Sequence, residues 1–208
     1  MKKLTNISIL LFSISFFISC NKDLLKTIPN DRVTSLIFWR TDNDAILAAN
    51  AIYTKLPGVD VFTNWDAMSD IGHVTLGWRD QSIMEKGAYD ATIFPVLAIW
   101  NNDYAAIQAA NIFLGNVDKI KAKDPQLINN LKGQVKVLRS FFYMRLAELF
   151  GDVPLITSEI SLEDSRKVTR TPVSQIWDFV SKELRDAADL LPVSQVQKGR
   201  ITKGAALA

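Results

Sequence analysis

The stretch NWDAMSDIGHVTLGWRD, residues 64–80, gathers Trp65, Asp66, Asp70, His73, Trp78, Arg79 and Asp80 into one short run. These side chains suit recognition of a hydroxyl-rich molecule. Indole rings offer large, rigid apolar faces on which the C–H faces of sugar rings pack, while carboxylates and guanidinium groups form charge-assisted, often paired, hydrogen bonds with hydroxyls. An alternative stays open for each tryptophan, which could instead be a core plug pinning the loop onto its scaffold. Catalysis has little to work with. His73 is the sole histidine, there is no Gly-x-Ser-x-Gly turn, and neither a zinc set nor a phosphate-cradling glycine loop is present. Asp66 and Asp70 could in principle serve as a carboxylate pair of the glycosidase kind, but closeness in sequence does not set their separation across a substrate. The chain is therefore expected to bind rather than to turn over, with no cofactor and no metal. The candidate ligand-binding residues are Trp65, Asp66, Asp70, Trp78 and Arg79.

A second chemical feature lies near the start. Lys2 and Lys3 precede an apolar run from Ile7 to Ile18 that ends in Ser19-Cys20. That order is a secretory signal, too short to cross a membrane. Cys20, the only cysteine, follows a small residue at the end of the run and resembles the acceptor of a bacterial lipobox. Multiple acyl chains on that residue would hold a soluble domain to a bilayer. Disulfides, thiolate metal sites and cysteine nucleophiles are excluded from the rest of the chain.

The sequence has 208 residues, 48% of them hydrophobic, and a formal net charge of +2. The two leader lysines account for that charge, so the chain from Cys20 is formally neutral and nucleic acid is not an expected partner. Residues 1–19 read as the leader, 20–40 as a polar leash, and 41–208 as a helical domain. GRITKGAALA at the C-terminus opens a helix without a stop signal and reads as the front part of a longer protein.

The elements that must position the site are helices. TDNDAILAANAIYTKL carries Ile46, Ala49, Ile52, Tyr53 and Leu56 at helical spacing, with Thr41 or Asp42 as N-cap. Residues 58–95, with glycines at 58, 72, 77 and 87, show no sustained period, as a functional insertion would. From Val96 a helix presents Trp100, Tyr104, Ile107, Asn111 and Leu114 on one side. Asp124-Pro125 opens the longest helix, with one stripe of Leu131, Val135, Leu138, Phe142, Leu146 and Leu149 and a second of Val137, Phe141 and Met144. Gly151 and Pro154 end it. A last long helix runs from Thr171 or Pro172 to Pro192. Strand patterns are nearly absent. The expected fold is all-α, built from antiparallel helical hairpins, although the 34-residue tetratricopeptide period is not evident.

LKGQVKVLRSFFYMRLAELFGDVPLIT, residues 131–157, closely resembles the long helix and following turn of the SusD/RagB family of outer-membrane nutrient-binding lipoproteins of Bacteroidota. FWRTDNDAILAANAIYTKL, IWNNDYAAIQAANIFLGNV and TRTPVSQIWDFVSKELRDAADLLP agree in the same order. The resemblance implies tetratricopeptide-like helix pairs as scaffold and an irregular insertion bearing the ligand site. It also implies a lipid anchor at Cys20, an outward-facing address in the following Asn21-Lys22-Asp23, and a partner in a SusC-like TonB-dependent β-barrel transporter. The implied ligand is an oligosaccharide, with peptides or other nutrients, or a purely protein-binding groove, as the alternatives. Trp100, Tyr104, Asn111, Arg139, Phe142 and the 151–154 turn match the family's scaffold pattern.

Overall fold

The computed structural model describes residues 38–58, 65–73, 75 and 80–208. Cys20, the leader, the leash up to residue 37, Trp78 and Arg79 lie outside these. Seven α-helices are described within the unit Trp39–Ala208: α1 (Asp42–Tyr53), α2 (Asp80–Glu85), α3 (Phe94–Asn116), α4 (Pro125–Phe150), α5 (Leu162–Ser165), α6 (Val173–Leu190) and α7 (Lys203–Leu207). There is no β-strand among the described residues, only a single bridge between Val153 and Thr171.

The ends of the helices follow from local chemistry. Thr41 caps α1 in a reciprocal box with Asp44, whose carboxylate accepts from Thr41 N at 2.8 Å. This acceptance, led by the Thr41 hydroxyl, holds the Asp44 carboxyl below the usual range. Asp124 caps α4 by accepting from Gln126 N and Leu127 N, with Pro125 at the first helical position. At the other end Gly151 takes φ 65°, the left-handed region where a side chain is disfavoured. The Asp152 carboxylate then accepts from Val173 N at 2.9 Å, so the turn after α4 caps the start of α6, where Pro172 makes no side-chain cap.

α4 is the central element and packs against α1, α3 and α6. Asp42 accepts from Lys123 N and Asp124 N at the head of α4, and Tyr53 donates to Gln134 one helical stretch later, so α1 and α4 run parallel. Contacts to α3 and α6 run in reverse order: Trp100 meets Phe150 while Asn111 meets Arg139, and Phe179 meets Tyr143 while Ala187 and Leu191 meet Gly133. The pairs α1/α3 and α4/α6 are therefore antiparallel hairpins stacked side by side, as the expected helical class requires. At Gly133 the approach is so close that a Cβ would sit 2.8 Å from Leu191 Cγ.

The core joins Ile52, Ile107, Phe113, Leu131, Leu138, Phe142, Leu146 and Ile176 from four helices. Leu149, expected in the inward stripe, lies in the last turn of α4 and is 43% exposed. Being enclosed on several sides, α4 also buries polar residues. Arg139 donates from Nε to Glu183 at 2.9 Å, from a terminal nitrogen to the same carboxylate, and from the other to Asn111 Oδ1 at 2.6 Å and Thr157 O at 3.0 Å. A guanidinium this fully engaged meets the condition under which a buried charge is tolerated. Tyr143 accepts from Ile156 N and donates to Ile156 O, and Asn111 and Tyr104 donate to Ile156 O and Pro154 O. The segment after Gly151 is thus held by side chains of α3 and α4. The scaffold roles expected for Tyr104, Asn111 and Arg139 are realised in these bonds. Trp100 packs edge-on against Phe150 with centroids 5.2 Å apart.

Candidate ligand-binding site

Two cavities flank α3. One, of about 460 Å3, lies between α3 and the 154–168 segment, but the Tyr104 and Asn111 groups that line it are already spent on the backbone of that segment. The other, of about 450 Å3, lies between the C-terminal end of α1, the insertion, the first turns of α3, and Arg145 of α4. Its walls are largely apolar, from Leu56, Trp65, Met68, Phe94 and Ile99, and Phe94 is 72% exposed at its rim. Gln81, Asn102, Asp103 and Arg145 supply polar groups to the same space. The side-chain amides of Gln81 and Asn102 make no hydrogen bond among the described residues. A mostly apolar hollow with a few convergent, uncommitted polar groups is the usual form of a small-molecule site.

The insertion delivers Trp65 to this cavity through a tight local loop. Ser69 donates from Oγ to Asp66 O at 2.8 Å, and Gly72 folds back so closely that a Cβ there would lie 2.5 Å from the same carbonyl oxygen. His73 bonds through Nδ1 to the Glu85 carboxylate at 2.8 Å and ties the loop to α2, a structural use of the lone histidine. The six residues of α2 are too few to establish a helical period in the sequence.

Of the expected binding residues, Trp65 lines the cavity and is half-buried. Arg145 lies 5.8 Å from its ring centroid and 5.8 Å from that of Phe141, so the indole is also anchored by a cation–π contact. Trp65 therefore pins the loop onto α4 and also forms part of the cavity wall. Asp66 and Asp70 are exposed and do not line it. Asp80 begins α2.

Asp103 and Arg145 escaped the sequence reading. Asp103 is 1% exposed, both carboxylate oxygens are closed off without a hydrogen bond among the described residues, and Arg145 stands 3.4 Å away as its ion-pair partner. Burial, opposed by Arg145, pushes the Asp103 carboxyl up to about 6. The Arg145 side chain makes no hydrogen bond among the described residues. Arg145 and Asp103 both line the cavity, so the guanidinium charge is answered within the site.

Stacked antiparallel helix pairs with an irregular insertion over a cavity define a class of helical-hairpin binding scaffolds. The chain belongs to the SusD-like family: residues 62–208 match the family model described as "Starch-binding associating with outer membrane". It is 29% identical over 227 residues to SusD-like protein P25 of Formosa agariphila, covering 98% of this chain and 41% of that protein. It is 26% identical to SusD-like protein P38 of the same organism, covering 93% and 39%. The chain thus spans about two fifths of the length of these relatives. Among solved structures, a SusD-like protein of Bacteroides fragilis superposes with a TM-score of 0.73 at 24% identity over 86% of this chain and 36% of that one. A laminarin-binding SusD-like protein superposes with a TM-score of 0.67 at 24% identity, over 79% and 37%. Among the described residues no helix is long and apolar enough to cross a membrane.

Proposed function

We propose that this chain is the recognition part of a lipid-anchored, cell-surface protein that binds oligosaccharides and hands them to a SusC-like TonB-dependent β-barrel. No bond is broken in this scheme. The observation that carries it is the cavity walled by Trp65 and supplied with uncommitted amides, set in a scaffold of a family described by starch binding at the outer membrane. Stacking on apolar walls and hydrogen bonds to hydroxyls supply affinity, Trp78 and Arg79 are proposed as further ligand contacts, Asp66 and Asp70 would contact only a ligand that reaches beyond the cavity, and Cys20 carries the lipid.

Two measurements test this. Detergent extraction of the tagged protein from its native outer membrane is expected to bring a large β-barrel in stoichiometric amount, and purification without one would remove the transport assignment. Calorimetry with malto-oligosaccharides, laminari-oligosaccharides and unrelated peptides is expected to show heat with at least one glycan, weakened by Trp65→Ala. Binding to peptides alone would overturn the glycan assignment.

A further inference from the structure

The Asp103–Arg145 pair is an unusual element to place at the edge of a cavity. A buried carboxylate without hydrogen bonds costs stability, and the ordinary remedies, a second donor or exposure to water, are both missing among the described residues. Arg145 is equally under-used. It has five N–H donors, one ionic contact at 3.4 Å and two aromatic faces, and no hydrogen bond among the described residues. The guanidinium lies within cation–π distance of both Trp65 and Phe141, contacts that restrain it before any guest arrives. A donor that is both oriented and unspent, beside free amides of Gln81 and Asn102, is what a built recognition site needs.

We propose that Arg145 is the contacting residue of this cavity, that Asp103 is its positioning and neutralising partner, and that together they select an uncharged, hydroxyl-rich ligand over an acidic one. The inference rests on the glycan reading above and assigns its ligand class. With Asp103 ionised, the pair has no net charge, so an anionic sugar gains little from entering while losing its hydration. A neutral ring offers hydroxyl and ring oxygens to the guanidinium at no such cost. Remove the carboxylate charge and the same guanidinium becomes an uncompensated cation beside the cavity, which favours the anion. Among the described residues the other cationic group lining the cavity is Lys55, which is exposed and screened by solvent ions. Protonation of Asp103, whose carboxyl is pushed up to about 6, should reproduce the effect in the unaltered protein.

The experiment is calorimetry of the full chain with neutral malto- and laminari-oligosaccharides and with the same sugars oxidised at C6 to uronates. At pH 7.5 the wild type is expected to prefer the neutral forms. Arg145→Met should weaken neutral binding by about 10- to 100-fold, the scale of a lost hydrogen bond to a charged group. Asp103→Asn should shift the uronate-to-neutral affinity ratio about tenfold toward the uronate, and moving the wild type from pH 7.5 to pH 5 should shift it the same way, with no such shift in Asp103→Asn. The double variant Asp103→Asn/Arg145→Met replaces the ion pair by neutral side chains of similar size and, by its melting curve, verifies that the fold survives. Unchanged neutral binding in Arg145→Met, a wild-type preference for uronates, or equal effects of Asp103→Asn on both ligand forms overturns the inference and leaves glycan binding standing. Failure of the wild type to bind any glycan overturns both.

Discussion

Replacing Asp103 by asparagine should make the protein more stable at neutral pH and little changed in acid. The carboxyl sits at about 6 in the fold against 3.8 for the unperturbed group. The folded state therefore holds this proton more tightly than the unfolded state, and its contribution to stability falls as pH rises from about 4 through 6 and is level above. Two pKa units at 1.36 kcal/mol each amount to about 3 kcal/mol over the full range, and about 2 to 3 kcal/mol between pH 4 and pH 7.5. Asparagine imitates the neutral carboxyl, so its difference from wild type contains a constant part, from the altered contact with Arg145, and this pH-dependent part. Urea denaturation followed by far-ultraviolet circular dichroism at pH 4, 5, 6 and 7.5 separates them. Carboxyls held low by partners, such as Asp44 beside Thr41 and Asp186 beside Lys182, contribute stability that is lost as pH falls through their folded values. They cancel in the difference between the two proteins. A difference that stays constant across the pH series would refute the reasoning, for it would mean that burial does not oppose ionisation of Asp103.

Two further outcomes test the scaffold. Arg139→Met should destabilise by about 3 to 5 kcal/mol, because Glu183 then keeps a buried charge without its main partner; adding Glu183→Gln should recover part of the loss in the same denaturation assay. Gly133→Ala should cost about 1 to 3 kcal/mol by forcing Leu191 and the Ala187 carbonyl away from α4, read as a lower denaturation midpoint with an unchanged slope.

The helices were legible wherever their ends carry local chemistry. Asp124-Pro125 and Gly151 bound α4 as expected, and Thr41 starts α1, because caps act within one turn and need no tertiary partner. The inward stripe of α4 was legible up to Leu146 and failed at Leu149, where the last turn has fewer neighbours. Polar residues in enclosed helices were the weak point. In WNNDYAAIQ the aspartate looks like any solvent-facing charge, and only the proximity of α4 shows that Asp103 is buried while its neighbour Asn102 is not. Arg145 sits four residues after Phe141 and three after Phe142, a spacing that places it beside aromatic rings and offered a faint signal. The site was half legible for a related reason. Aromatic and charged composition marked the insertion as recognition chemistry, and Trp65 does reach a cavity, but which scaffold residues it would face depends on how the helices pack.

The polar ties around Arg139 and Tyr143 draw their partners from α3, α6 and the segment after Gly151, and none comes from the described residues between 58 and 93. These ties hold the helices and the segment after Gly151 together without the described part of the insertion. Such a division works like a tool holder: the insertion can be exchanged, lengthened or reshaped for another guest while the helices that grip it are left unaltered. Grafting a different insertion between α1 and α3 should therefore retarget the molecule, with Arg145 and Asp103 as the fixed end of the socket to which each new loop must be matched.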